Sequence, residues 1–86
     1  MREFVFTARF ERLFKKLPKA TREETYEKLA LFLNDPAHTS PRVKRIKRTV
    51  DIWEMSITMS YRVTFQFDGE LVVLRRIGTH DLLRQP

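Results

Sequence analysis

The spacing of apolar residues changes halfway along the chain, and this change restricts the folds that the sequence can adopt. Up to about residue 34, apolar side chains recur three and four residues apart, which is helical spacing. After a loop at residues 36–42 they alternate with polar residues, as in strands with one buried face. A chain of 86 residues builds one small core. The pattern therefore predicts a single α+β domain over residues 1–86, with helices covering one face of a sheet.

The first half predicts a short strand followed by an antiparallel hairpin of two helices. Residues 3–6 favour extended structure, and Thr7 can cap a helix that follows. Pro18 ends this helix, and Thr21 and Glu24 have the spacing of a capping box, which predicts that a second helix begins there. The predicted core-facing stripes are Phe10, Leu13, Phe14 and Leu17 in the first helix, and Tyr26, Leu29, Ala30 and Leu33 in the second.

Three strands in the second half predict an antiparallel meander. They cover residues 53–57, 61–67 and 71–77. Keeping Ile57 and Tyr61 on the same face requires a loop of three residues between the first two strands. The polar residues of the middle strand then point away from the helices, and Arg62 is one of them.

The dipeptide Asp68-Gly69 is the strongest local turn signal in the chain. A two-residue turn at this dipeptide places Arg62 opposite Arg75. If the next residue joins the turn through a bulge, Arg62 faces Arg76 instead. The sequence leaves both registers open, and each predicts a pair of arginines on one sheet face.

Nearly all of the net charge of +6 lies in one short segment. Residues 41–50 contain five basic and no acidic residues, and Val43 and Ile46 alternate with them. The segment can be an edge strand that lysine and arginine protect from aggregation. Bases unmixed with acids favour a polyanion partner, to which such contacts give salt-dependent affinity with little sequence preference. The predicted nucleic-acid-binding residues are Arg42, Lys44, Arg45, Lys47 and Arg48.

Arg62 is the first candidate for chemistry, because a strand fixes its guanidinium group on the predicted polar face. A planar guanidinium can hold two phosphate oxygens and stabilise the charge of a transition state. A salt bridge with Glu54 or Asp68 is the structural alternative. Arg75 and Arg76 are further catalytic candidates, because a second arginine on the same face as Arg62 disfavours simple ion pairing and favours an anion such as a phosphodiester.

His80 is the second candidate, because it directly follows the last strand and can transfer a proton at neutral pH. His38 lies in a loop between prolines and is predicted to be structural or exposed. Trp53 and Tyr61 are most simply core residues, and stacking on an RNA base is their functional alternative.

Cofactors, metals and membranes are not indicated by the sequence. The chain has no cysteine, only two histidines far apart and two isolated glycines, which predicts no metal site, no cofactor and no phosphate-binding glycine loop. The lack of cysteine fits a reducing cytoplasm. The sequence has no apolar run long enough to predict a membrane segment. Any hydrolysis is therefore expected to be metal-independent.

Two segments carry a resemblance to a known family. The order of elements, together with YRVTF at residues 61–65 and RIGTHD at residues 76–81, resembles the RelE/ParE superfamily of bacterial and archaeal toxins, on its mRNA-interferase side. The resemblance implies an N-terminal strand and an antiparallel two-helix hairpin packed on a mainly antiparallel sheet of four to five strands. It also implies a toxin that cleaves mRNA on the ribosome and is neutralised by a cognate antitoxin protein.

The resemblance also implies roles for individual residues. Arg62 matches the strand arginine that binds the scissile phosphate, and His80 matches a position that supplies a proton donor or a basic group. The basic strand matches the RNA-contacting surface, and the implied reaction is attack by the RNA 2′-hydroxyl on the adjacent phosphate. Two alternatives stay open, a ParE-like inhibitor of DNA gyrase and a non-catalytic RNA-binding module. Members of the gyrase-inhibiting branch usually lack a histidine after Gly-Thr, so Thr79 and His80 favour the nuclease.

Overall fold

The structure is a computed structural model that describes residues 2–34 and 43–86. Two helices follow the first strand, and the remaining strands come after them. No helix in the described part of the chain is long and apolar enough to cross a membrane. The elements are β1 (Glu3–Phe6), α1 (Ala8–Lys15), α2 (Lys19–Leu33), β2 (Val43–Arg45), β3 (Trp53–Ser56), β4 (Tyr61–Asp68), β5 (Leu71–Thr79) and a C-terminal 3₁₀ helix (His80–Arg84).

The described strands form one sheet in the order β1-β5-β4-β3-β2. The chain runs back and forth from β2 to β5 in antiparallel pairs, and β1 lies parallel to β5. The predicted α+β fold with a mainly antiparallel sheet is therefore confirmed. Since β1 and β2 are the two edges, the basic segment lies at one edge of the sheet and the chain's first strand at the other.

Aromatic side chains join the helices to one face of the sheet. Phe10 of α1 and Phe32 of α2 are almost fully buried, and the Phe32 ring lies 5.3 Å from that of Phe65 on β4. Burying each such side chain contributes about 1.5–3 kcal/mol. Other members of this core are Leu29, Val43, Met55, Ile57, Val63, Val72, Leu74 and Ile77.

Thr7 caps α1, as predicted, and also ties it to the sheet. Its hydroxyl oxygen accepts a hydrogen bond from the backbone N–H of Phe10 at 3.2 Å and donates one to the backbone oxygen of Leu74 at 2.7 Å. Three residues join α1 to α2, which is the short connection that a helical hairpin needs. The start of α1 is thereby held against β5.

Helix α2 begins earlier than the sequence predicts, at Lys19. Pro18 takes the N-cap position with φ of −56°, which is the angle that its ring imposes, and no side chain caps the helix. The predicted capping box is therefore wrong. Thr21 lies inside the first turn, where its backbone oxygen accepts a hydrogen bond from the Thr25 hydroxyl at 2.7 Å.

The buried face of α2 is also rotated relative to the predicted stripe. Of the four predicted residues only Leu29 is buried, and Tyr26 is 58% exposed. The buried positions are Thr25, Leu29 and Phe32. Thr25 reaches the core because its hydroxyl is satisfied within the helix, which removes the cost of burying a polar group.

The loop between β3 and β4 matches its prediction. The backbone N–H of Ile57 donates to the Tyr61 oxygen at 3.0 Å, which leaves three residues in the loop and Ile57 on the core side. The Thr58 hydroxyl accepts hydrogen bonds from the backbone N–H groups of Ser60 and Tyr61 at 3.1 and 3.0 Å. This internal bonding shapes the loop next to Arg62.

The turn between β4 and β5 shows that both predicted registers are wrong. Asp68 pairs with Leu71, so the turn consists of Gly69 and the residue after it. Gly69 has φ of 60°, as the first position of a type II′ turn requires. A bulge then shifts the register by one more residue, and Arg62 lies opposite Gly78 rather than opposite either arginine.

Candidate functional site

One row of side chains crosses four strands on the sheet face that points away from the helices, which we name the outer face. In cross-strand register, Lys44 pairs with Glu54, Glu54 with Thr64, and Thr64 with Arg76. Glu54 and Thr64 are 5% and 0% exposed, although the sequence predicts an open polar face. Pro86 helps to bury Thr64, since the Thr64 hydroxyl donates a hydrogen bond to the Pro86 backbone oxygen at 3.0 Å.

Arg62 lies beside this row and is held in place by its own strand and the loop before it. Its Nε lies 3.8 Å from Glu54 Oε1, and the two side chains are 18% and 7% exposed. The ion pair with Glu54 that the sequence offered as an alternative is therefore present. Its Nη1 donates to the backbone oxygens of Thr58, Met59 and Tyr61 at 2.9, 3.3 and 3.2 Å.

The bulge in β5 gives Arg75 and Arg76 different surroundings from Arg62. Arg75 has no cross-strand partner; its Nη1 donates to Gln66 Oε1 at 2.7 Å and its Nε to the Pro86 oxygen at 3.2 Å. Arg76 is half-buried, and no carboxylate of the described residues forms an ion pair with it. The three candidate arginines therefore do not form one cluster, and the catalytic role predicted for Arg75 and Arg76 stays a prediction.

His80 lies at the same end of the sheet as Arg62. Gly78 is the cross-strand partner of Arg62, and His80 follows it by two residues as the first residue of the 3₁₀ helix. Its side chain is exposed, and no hydrogen bond among the described residues joins it to Arg62. The exposed imidazole is therefore accessible to a substrate at the end of the sheet that carries Arg62.

The basic residues described between positions 43 and 50 lie on an edge strand and in the turn that follows it. Lys44 and Arg45 alternate on β2 and are exposed, and Lys47 and Arg48 are exposed in the turn after it. Ile46 is buried and anchors this turn, because its backbone oxygen accepts a hydrogen bond from the Thr49 hydroxyl at 2.7 Å. Arg42 and His38 lie outside the described residues.

Arg48 is held at φ of 70°, which suggests a first test of this turn. A left-handed backbone costs a residue with a Cβ about 1–2 kcal/mol, whereas glycine in an element costs about 0.5–1 kcal/mol in chain entropy. We expect Arg48→Gly to raise the free energy of unfolding by about 0.5–1 kcal/mol, the difference between these two effects. Denaturant unfolding of the two proteins measures the change.

Lys47→Gly is the matched control, because it removes the same charge from the same turn at a position without positive φ. It is expected to lower the free energy of unfolding by about 0.5–1 kcal/mol. Equal destabilisation by both glycines would show that the Arg48 backbone is unstrained. If Arg48 also contacts RNA, Arg48→Gly is expected to be more stable than the wild-type chain and to bind RNA more weakly.

The two candidate stacking residues pack against the core. Both Trp53 and Tyr61 are half-buried, and the Trp53 ring lies edge-on to Phe67 at 5.5 Å. Base stacking by either ring stays a prediction. Within residues 2–34 and 43–86, no group of three or more His, Asp or Glu side chains is placed to hold a metal ion.

A second basic segment was missed by the sequence analysis. Residues 8–22 contain six basic residues and one acidic residue, the same net charge as residues 41–50. The glutamates of α2 offset these bases when charge is summed over the whole helical half of the chain. A window of about one helix length reveals this surface. Its exposed members are Arg9, Arg12, Lys15, Lys16 and Lys19.

The geometry of the chain defines a known fold class. A helical hairpin on a five-stranded, mainly antiparallel sheet is the fold of the RelE-like toxins. Over 96% of this chain and 98% of the other, the structure matches YafQ from E. coli with a TM-score of 0.76 and 12% sequence identity.

Two further solved structures share this fold. The E. coli RelBE toxin–antitoxin complex matches at a TM-score of 0.73 and 22% identity over 92% of this chain and 96% of the other. The YoeB dimer from Staphylococcus aureus matches at 0.76 and 13% identity over 92% and 97%. No protein-family model and no curated protein sequence matches the chain. At these identities the structural likeness establishes the fold.

Proposed function

We propose that the chain is the toxin of a type II toxin–antitoxin system and that it cleaves mRNA as a ribosome-dependent endoribonuclease. The observation that carries this proposal is the position of Arg62 and His80 at the same end of the sheet, in a fold shared with RelE, YafQ and YoeB. A guanidinium for phosphate charge and an imidazole for proton transfer are the groups that phosphodiester cleavage needs.

The proposed reaction needs no cofactor. The RNA 2′-oxygen attacks the adjacent phosphorus and forms a 2′,3′-cyclic phosphate, while the bond from phosphorus to the 5′-oxygen breaks. His80 gives a proton to the departing 5′-oxygen, and water takes the proton from the 2′-hydroxyl. Arg62 stabilises the negative charge that accumulates on the phosphate oxygens. Bound RNA supplies the alignment of attacking and leaving oxygens that speeds such a displacement.

The basic edge is proposed to position the RNA on this site. Lys44, Arg45, Lys47 and Arg48 are exposed at the β2 edge, and Lys44 belongs to the row that crosses the outer face. Contacts from these residues to phosphates fix orientation without reading sequence. The ribosome would then provide the codon in a defined conformation.

The proposed protein partner is an acidic antitoxin, and the face opposite the outer face offers a surface for it. A groove of about 530 Å³ lies between β1, α1 and α2 and exposes the aromatic rings of Phe6 and Tyr26. Lys15 and Arg22 line this groove together with one acidic residue, Glu11, and the excess of positive charge favours an acidic partner. Solved structures with this fold include a DinJ–YafQ complex and a RelB–RelE antitoxin–toxin complex.

Primer extension on an mRNA that is being translated tests the proposal. Purified protein is added to a translation reaction, and the same preparation is added to a DNA gyrase supercoiling assay. Cuts that need both the protein and ribosomes support the nuclease. Loss of supercoiling without cuts would replace it with the gyrase inhibitor. RNA binding without either effect would reduce the proposal to an RNA-binding module.

A further inference from the structure

A small pocket lined by three arginines lies between the start of α1 and the bulge in β5. Arg9 comes from the first turn of α1, and Arg75 and Arg76 come from the bulge. Thr7 completes the lining, and the pocket has a volume of about 190 Å³. The pocket is separate from Arg62, which lies beyond the bulge opposite Gly78.

The pocket is positive, and no Asp or Glu side chain lines it. Among the described residues, no ion pair joins an acid to Arg9 or to either β5 arginine. Arg75 is held by Gln66 and by the Pro86 oxygen through its Nη1 and Nε, which keeps its guanidinium in place. The Thr7 hydroxyl is engaged by backbone groups, so guanidinium groups supply the recognition. Three like charges around one cavity are stabilised by an anion.

Further positive charge continues from the pocket along α1 and β5. Arg9, Arg12 and Lys16 are exposed at positions i, i+3 and i+7 and therefore share one side of α1. A neighbouring cavity of about 400 Å³ shares Arg76 with the pocket and adds Arg84, together with one carboxylate, Asp81. The surface is therefore an extended basic track rather than an isolated charge.

We propose that Arg9, Arg75 and Arg76 bind one backbone phosphate of an RNA strand, at a position that flanks the site of cleavage. The planar fork of each guanidinium suits phosphate oxygens, and the volume accommodates a single phosphate group. The choice of RNA as the source of the phosphate rests on the proposed function. A membrane surface fits less well, because the pocket is lined by charged groups and not by exposed apolar side chains.

The sheet places this pocket across from the basic edge. Three strand spacings separate β5 from β2, a distance of about 14 Å at about 4.8 Å per strand. On this proposal the RNA strand crosses from one surface to the other over β4, the strand that carries Arg62 and lies between β5 and β2. Two phosphate sites on either side of Arg62 would hold the scissile phosphate in line with it.

Binding of a fluorescent, uncleavable 2′-O-methyl RNA oligonucleotide tests the pocket through its salt dependence. Fluorescence anisotropy gives the Kd at several salt concentrations for the wild-type chain and for Arg9→Gln. Loss of one phosphate contact is expected to weaken binding roughly tenfold at low salt and to reduce the slope of log K against log salt by about 0.7. Arg9→Lys is expected to restore the slope, because it restores the charge.

Lys19→Gln is the matched control, since it removes one exposed positive charge at the start of α2, away from the pocket. Its slope is expected to equal that of the wild-type chain. Equal slopes for Arg9→Gln and Lys19→Gln would overturn the proposed phosphate site. The proposal would also be overturned if Arg9→Gln weakened binding to anionic lipid vesicles but not binding to RNA. Primer extension is read separately. If the wild-type chain cleaves mRNA but Arg9→Gln leaves the salt slope of RNA binding unchanged, only the pocket is rejected. If Arg9→Gln reduces the slope but the wild-type chain does not cleave mRNA, only the nuclease is rejected.

Discussion

Replacing His80 by alanine is expected to slow mRNA cleavage by about two to four orders of magnitude, the usual contribution of a positioned acid or base. The departing 5′-oxygen would leave without a proton donor, and no other histidine in the described residues can replace His80. Primer extension over a time course on translated mRNA measures the rate. Because the side chain is exposed, the free energy of unfolding is expected to change by no more than about 0.5 kcal/mol.

Asp81→Asn is the matched control for this prediction. Asp81 is the next residue of the same 3₁₀ helix, is also exposed and has no proposed role in proton transfer. Its variant is expected to cleave at close to the wild-type rate. A His80→Ala variant that cleaves as fast as Asp81→Asn would remove His80 from the mechanism, while the toxin proposal would then rest on Arg62.

Replacing Arg62 by alanine is expected to lower the free energy of unfolding by about 3–5 kcal/mol, because it leaves the buried Glu54 carboxylate without its cation. The change also removes the donor that bonds to three carbonyl oxygens of the preceding loop and strand. Small domains have only about 5–15 kcal/mol of stability. Loss of toxicity in this variant would therefore report on folding as well as on chemistry.

Adding Glu54→Gln separates these two effects. Once the carboxylate is gone, removing Arg62 leaves no unpaired charge, so the double variant is expected to be more stable than Arg62→Ala alone. The double-mutant cycle in denaturant unfolding should give an interaction free energy of about 0.5–3 kcal/mol. An interaction free energy of zero would show that the 3.8 Å ion pair contributes nothing to the fold.

Arg62→Lys tests the chemistry in a folded protein. Lysine keeps a positive charge near Glu54 but lacks the planar fork that binds two phosphate oxygens. Cleavage is expected to fall by about 10²–10³, the usual cost of losing one donor that stabilises an oxyanion. Wild-type cleavage by a folded Arg62→Lys variant would assign Arg62 to the fold alone.

The predicted features that survived depend on contacts between residues close in sequence. The Thr7 cap, the short connection between helices and the three-residue loop before Tyr61 are each determined within a few residues. The Thr21 capping box failed even though it is local. Pro18 occupies the N-cap of α2, so the helix begins at Lys19 and Thr21 lies inside its first turn.

The register around Arg62 shows why the candidate site could be predicted only in part. Asp68-Gly69 is a strong turn signal, yet the turn uses Gly69 at its first position, and the bulge at Arg75 adds a further shift. Both shifts depend on which side chains of β5 reach the core, and those contacts involve helices far away in sequence. The sequence identified Arg62 and His80 as candidates but could not place the other two arginines.

By itself, the sequence determined the fold class and singled out the candidate residues, because hydrophobic periodicity and turn residues act over short distances. Only the tertiary structure decided which charges meet. It paired Arg62 with Glu54 and brought Arg9 beside Arg75 and Arg76, across more than sixty residues of chain. The physical reason is that strand register and helix rotation follow from packing the whole core, and a shift of one residue moves a side chain to the other face.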